Sequence, residues 1–372
     1  MIPVFRPSMG EDEINAVSEV LKSGWIGLGP KTKEFEEKFA AYIGTKYAVG
    51  VNSATAALHL AMKVMNVESG EVITTPMTFV STNHAILYNN AVPVFCDIEP
   101  DTLNIDAIKI KPLLTNKTKA IVVVHYGGYA VNMDPVLDIA KKNGLKVIED
   151  TAHGCGGEYN NQKLGSIGDI GCFSFHAVKN LATGDGGMIT TDDHEVYERL
   201  LKLRWVGITK DTWSREEKDS KKYSWYYDVD ELGFKYHMND ITAAIGLVQL
   251  LKLDKMNERR YEISQKYSAV FSAIKGIRIP VIKDYMTKPA CHNYVIRLNN
   301  RDGLNDYLKE KGISTGVHYI PNNHYEIYKK YRGETPVSDT IWKMLLTLPL
   351  YPDLKDEDLR YIISEVLKFL TL

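Results

Sequence analysis

Apolar positions along the chain alternate between two periods, and that alternation sets out the elements. Residues 11–23 place Ile14, Val17 and Leu21 on one helical face before Gly24, and 31–43 group Phe35, Phe39, Tyr42 and Ile43 before Gly44. From there short β-branched or apolar runs trade places with helical stretches. Strands are predicted at Tyr47–Val51, Glu71–Thr75, Pro93–Ile98, Ala120–His125, Lys146–Glu149 (closing on Asp150), Ile170–Phe175 and Met188–Thr191. Helices are predicted from Asn52-Ser53-Ala54-Thr55 through Met65, near 80–88, from an N-cap at Asp134 with Pro135 at N1 to Gly144, and near 194–203. Alternation of this kind predicts an α/β fold with a mostly parallel sheet covered on both faces. Beyond a polar, aromatic stretch at 205–234 holding Trp213, Trp225, Tyr226 and Tyr227, an amphipathic helix is predicted over 239–253 from Ile241, Ala244, Ile245, Val248 and Leu251. A long helix over 255–274 then leads into a smaller α+β unit. That unit is expected to have strands at 293–298 and 314–319, a helix over 302–311 and two C-terminal helices, the last carrying Leu359, Ile362, Ile363, Val366 and Leu367. The expected division is a large domain over 1–250 and a small one over 251–372.

Composition changes this picture little. The chain has 372 residues, enough for a large core, and a formal net charge of −2, which offers no electrostatic case for nucleic acid or an anionic membrane surface. No apolar run approaches a membrane span, and the N-terminal stretch lacks a signal-peptide h-region, so a cytoplasmic protein is expected. Cys96, Cys155, Cys172 and Cys291 form no Cys-x-x-Cys pair and read as buried thiols, with no metal site expected.

Chemistry gathers at the carboxyl ends of the predicted strands, where α/β sheets bind ligands. Lys179 lies between two strands expected to be buried in such a sheet, followed by Gly184-Asp185-Gly186-Gly187. A desolvated lysine is a nucleophile toward aldehydes; the alternative is a lysine that snorkels outward. Ser53-Ala54-Thr55 opens a helix and suits a phosphate, unless Asn52 or Ser53 is simply an N-cap. Asp150 in Asp150-Thr151-Ala152-His153 is a strand-end carboxylate that needs a cation, such as a protonated pyridine, unless it is a cap or a structural ion pair. Phe79 could stack on a flat ring or belong to the core. Together the four pieces are what pyridoxal 5′-phosphate (PLP) requires.

The order of these pieces resembles the aspartate-aminotransferase-like fold, fold type I of PLP enzymes. Six segments carry a closer resemblance: Ser23-Gly24-Trp25 with Gly29-Pro30, Glu149 to His153, Phe173 to Lys179, Gly184 to Gly187, Gly316 to Pro321, and Leu348 to Pro352. In these the chain resembles the DegT/StrS family of nucleotide-sugar aminotransferases. The resemblance implies Lys179 as the Schiff-base lysine, Asp150 as the partner of the pyridine nitrogen, Phe79 as the stacking ring, and Ala54, Thr55 and Ser174 as phosphate contacts. It places His153 near the ring hydroxyl and His318 and Tyr319 near the substrate. It further implies a homodimer with shared sites, in which Gly233 to Met238 reaches across to the partner. Relatives often carry Asn where Lys235 stands and Arg or Asn where His237 stands, so either residue is a candidate for the trans phosphate contact, and His237 is also expected at the substrate. Glutamate is the expected amino donor and a nucleotide-linked keto-deoxysugar the expected acceptor. The rival readings are a sugar dehydratase of the same family, against which Lys179 argues, and a non-catalytic member of the fold. A nucleotide-binding oxidoreductase lacks support, since no Gly-x-Gly-x-x-Gly follows the first strand.

Overall fold

The computed structural model describes residues 1–209, 227–331 and 333–371. Trp213, Trp225 and Tyr226 of the polar aromatic stretch lie outside the described residues. A seven-stranded sheet forms the centre, built from β1 (Tyr47–Val51), β2 (Glu71–Thr74), β3 (Val92–Phe95), β4 (Thr118–Val124), β5 (Lys146–Asp150), β8 (Ile170–Ser174) and β9 (Gly187–Thr191); β6 (Glu158–Tyr159) and β7 (Gln162–Lys163) form a small separate hairpin. The strand order is β1-β9-β8-β5-β4-β2-β3, and only β9 runs against its neighbours. Strands buried on both faces need no alternation, which is why β4 reads as a nearly continuous Val/Ile run.

One sheet face is covered by α3 (Ala54–Val64), α4 (Val80–Tyr88) and α6 (His194–Leu203), which enclose a cluster including Leu58, Met62, Val122, Ile148 and Leu200. α5 (Met133–Asn143) lies on the other side, where Val123, Val147 and Val136 join a core continuous with the C-terminal part of the chain. α1 (Glu11–Ser23) and α2 (Pro30–Ile43) pack on α7 (Asp240–Phe271). The last part holds β10 (Tyr294–Arg297), α8 (Arg301–Glu310), α9 (Pro336–Ile341), β11 (Leu345–Leu348) and α10 (Asp356–Leu370), with β10 antiparallel to β11.

Five expectations are corrected. Leu251, expected on the apolar face of the helix over 239–253, is 83% exposed. The helices expected at 239–253 and 255–274 are one helix, α7, which runs unbroken through residue 250. The strand expected at 314–319 does not form: Gly316 exchanges two hydrogen bonds with Thr347 (3.1 and 2.7 Å), a single bridge, and the strand beside β10 is instead β11. The cap of α5 is Asn132, so Asp134 sits in its first turn. On α1 the buried residues are Glu13 and Val20, because Glu13 accepts from Gln249 and Lys252 of α7, while Ile14 and Leu21 face outward. No helix among the described residues is long and apolar enough to cross a membrane, and all four cysteines are buried and unpaired.

Candidate active site

Strand ends and helix starts converge on a cavity of about 340 Å³, lined among others by Ala54, Thr55, Phe79, Asp150, His153, Ser174, Lys179, His318 and Tyr319. Asp150 ends β5 and is 4% exposed. One carboxylate oxygen accepts from the Thr82 hydroxyl (2.7 Å), the other from the Ala152 N–H (3.1 Å). Thr78 in turn lies 2.8 Å from the Thr82 oxygen; since Thr82 gives its proton to Asp150, Thr78 donates. Burial pushes the Asp150 carboxyl above its ordinary value, against the opposing pull of Thr82, Ala152 and Lys179. Both oxygens thus meet neutral donors, and no cation lies within hydrogen-bonding distance among the described residues. A cationic ring N–H would supply the missing charge.

Lys179 follows β8 in a tight turn, its N–H donating to the His176 carbonyl (2.9 Å). Its side chain is half-buried and lines the cavity. Burial lowers its amine to about 8, with Asp150 acting in the opposite direction. A sizeable neutral fraction near physiological pH suits an amine that attacks an aldehyde.

The α3 N-terminus supplies the third piece. Ser53 is the N-cap and accepts from the Ala56 N–H (3.1 Å), so the capping reading of this stretch holds. It does not exclude an anion, because Ala54 and Thr55 sit in the first turn, where N–H groups have no intrahelical acceptor. Thr55 donates its hydroxyl to Ser81 (2.9 Å), and Ser174, at the end of β8, accepts from the His176 N–H (3.4 Å) and keeps its own proton to give. Gly187 makes the approach possible: a Cβ there would stand 2.6 Å from the Ser53 carbonyl and 2.8 Å from the Ala54 nitrogen.

On the opposite wall the Gly127 N–H donates to His153 Nδ1 (3.2 Å), which places the proton on Nε2. Nε2 therefore donates to the Tyr319 hydroxyl (3.0 Å), leaving that hydroxyl's own proton available. Burial first, then Lys179, holds His153 well below the ordinary histidine value and His318 at about 4, so both rings are neutral. Phe79 precedes α4 and is 58% exposed toward the cavity, its ring centroid 6.2 Å from that of Tyr319. It is not a core residue.

Lys235 and His237 stand apart from the others. They line no part of this cavity in a single chain: the Lys235 amine lies over the Trp205 ring (3.2 Å) and His237 meets that ring edge-on (4.3 Å). Burial, with Lys235 and Arg204 adding to it, lowers His237 to about 4. The 25–30 loop and the described parts of 205–234 are likewise absent from the lining. Sequence reasoning missed Thr82, Phe5 and His292, which do line it. Thr78 and Thr82, four apart at the start of a predicted helix, were the one available signal for the Asp150 donor. The residues present fit PLP: a buried carboxylate without a cation, an amine with a lowered proton affinity, and a helix start closed onto by a glycine.

Comparison with known proteins agrees with this geometry. The model of the DegT/DnrJ/EryC1/StrS aminotransferase family matches residues 7–367. The spore coat polysaccharide biosynthesis protein SpsC of Bacillus subtilis is 43% identical over 98% of this chain and 96% of its own length. Among solved structures, a putative sugar aminotransferase of Streptococcus pneumoniae in its PMP form superposes with a TM-score of 0.93 at 32% identity, covering 99% of both chains. PseC of Helicobacter pylori, an aminotransferase involved in the biosynthesis of pseudoaminic acid, does so at 0.91 and 30% identity, covering 100% of this chain and 99% of its own. The fold is the α/β, aspartate-aminotransferase-like fold of PLP-type aminotransferases. The chain belongs to the DegT/DnrJ/EryC1/StrS aminotransferase family, a PLP-dependent family that includes sugar aminotransferases.

Proposed function

We propose that this chain transfers an amino group from an amino acid, glutamate, to a nucleotide-linked keto-deoxysugar, releasing 2-oxoglutarate and an amino-sugar. The observation that carries the reading is the pairing, in one cavity, of the Lys179 amine with the cation-less Asp150 carboxylate. Ala54, Thr55 and Ser174 would hold the phosphate of PLP, Phe79 its ring face, His153 its ring hydroxyl and Asp150 its ring nitrogen. When bound, PLP supplies an aldehyde that condenses with amines and a ring that accepts the electron pair left when a carbon loses its proton. Lys179 Nζ, once free, takes the proton from the donor α-carbon and later returns one to the sugar carbon that receives nitrogen. Asp150 keeps the ring nitrogen protonated, and Thr82 and Ala152 keep Asp150 in place. His318 and Tyr319 face the substrate, with residues 1–250 carrying the cofactor and 251–372 closing the cleft.

A homodimer completes the proposal, Lys235 or His237 reaching the partner's phosphate site. Ile14 and Leu21 on α1 and Leu251 on α7 are exposed apolar side chains available to a second copy. The decisive test is Lys179→Ala in the cofactor-loaded protein. Both the visible absorbance of the attached cofactor and transamination from glutamate should vanish; retention of both would refute the assignment.

A further inference from the structure

His292 lines the cavity and is 2% exposed, and none of the proposed cofactor contacts uses it. Its neighbours fix its protonation. The side-chain amide of Asn180 donates to the Ala290 carbonyl (2.7 Å) and to the Asn257 side-chain oxygen (2.8 Å). A backbone carbonyl only accepts, so the Asn180 nitrogen is on that side and its oxygen faces His292 Nδ1 at 2.9 Å. His292 Nδ1 therefore carries the proton and donates. No carboxylate among the described residues hydrogen-bonds the ring. It is stacked between Phe5 (5.2 Å, 6°) and His153 (4.5 Å, 28°), and burial, with Lys179 next, holds it well below the ordinary histidine value. Nε2 is thus a bare lone pair, and it has no hydrogen-bond partner among the described residues. Nε2 is not among the fully buried unpaired side-chain atoms, so on this cavity-lining ring it stays accessible to a donor that enters the cavity.

We infer that His292 is a further substrate-recognition residue, whose Nε2 accepts a hydrogen bond from a hydroxyl of the sugar substrate. The inference rests on the proposed aminotransferase reading. Chemistry selects the sugar over the amino donor. A neutral acceptor repels a carboxylate, and glutamate offers no donor except its reacting amine; a hexose offers hydroxyls beside the reacting carbon. Adjacent rings divide the labour. His153 gives its Nε2 proton to Tyr319, whereas His292 presents an Nε2 without one. Asn180, the residue after Lys179, is the positioning residue that fixes this state, and it is anchored on α7 through Asn257.

Two measurements test this. In the cofactor-free wild type labelled with ¹⁵N-histidine, long-range ¹H–¹⁵N spectra at pH 7 should report the neutral, Nδ1-protonated form for His292, assigned by its loss in His292→Phe. An Nε2-protonated or doubly protonated ring overturns the inference, whatever the enzyme catalyses. In the cofactor-loaded protein the two half-reactions are measured separately, with L-glutamate and with whichever of a UDP- or dTDP-linked 4-keto-6-deoxyhexose the wild type converts. His292→Phe keeps the ring stack and removes the acceptor. Its KM should rise about tenfold for the sugar half-reaction, the size of one lost hydrogen bond, and stay within about twofold for glutamate. Equal effects on both, or none, refute the role of His292 alone. A wild type that converts neither compound refutes the aminotransferase reading and the sugar assignment together.

Discussion

Lys179 is a charge held where charge is disfavoured, and the cofactor-free protein should reveal the cost. Its amine falls from an ordinary 10.5 to about 8. At 1.36 kcal/mol per tenfold change in proton affinity, the charged form is disfavoured by about 3 kcal/mol in the fold, with the attraction of Asp150 already included. Between pH 8 and 10.5 the unfolded chain binds this proton and the folded chain does not, so stability rises with pH across that window. Below pH 8 both states are protonated and the full penalty applies. Lys179→Met removes the charge at similar length. At pH 7 the cofactor-free variant should be more stable than wild type by up to about 3 kcal/mol, and the gap should close as pH approaches 10.5. Urea denaturation of both proteins across pH 7 to 10.5 gives the difference directly, and other titrating groups cancel in the comparison. A variant no more stable than wild type at pH 7, with a difference flat in pH, would show that the amine is solvated and would remove the physical basis for its reactivity.

Two further outcomes are expected. Gly187→Ala places a methyl 2.6 Å from the Ser53 carbonyl, so the α3 N-terminus must shift; PLP affinity, read by equilibrium dialysis, should fall at least tenfold, and an unchanged affinity would mean that α3 does not hold the phosphate. Glu149 is fully buried: burial alone would raise its carboxyl, but His125 and the N–H groups of Gly168, Gly165 and Ile167 outweigh it and hold it below the ordinary range. Its stabilising effect is present above pH 4.5 and is lost as pH falls through the lowered value, so Glu149→Gln should cost roughly 3 kcal/mol or more at pH 7 in urea denaturation and flatten the acid limb.

The elements legible in the sequence are those whose burial is set by one neighbour type. Strands such as Tyr47–Val51 and the Ala120–Val124 part of β4, sealed on both faces, show as unbroken apolar runs. Lys179 and Asp150 were legible because a charge beside such a strand must be paired or put to chemical use. The failures share a cause in tertiary contacts that leave no periodic trace. Gly316 and Thr347 pair for a single bridge, after which His318 and Tyr319 line the cavity. Glu13 is buried through partners more than two hundred residues away on α7, which no local pattern encodes. His292 gave no sign, since its neighbours Asn180 and Phe5 come from distant stretches.

The unbroken course of α7 also constrains its length. Near its start Asp240 accepts from the Thr32 N–H (2.9 Å) and hydroxyl (2.7 Å); further along Asn257 meets Asn180, Arg260 donates to the Leu350 carbonyl (2.9 Å) and Tyr267 to that of Pro349 (3.0 Å). Inserting or deleting one residue between positions 240 and 257 would swing every later anchor by about 100° around the axis. Loops elsewhere can lengthen or shorten as acceptors change, but this stretch is a ruler of fixed length, and divergence among related chains should leave its residue count untouched.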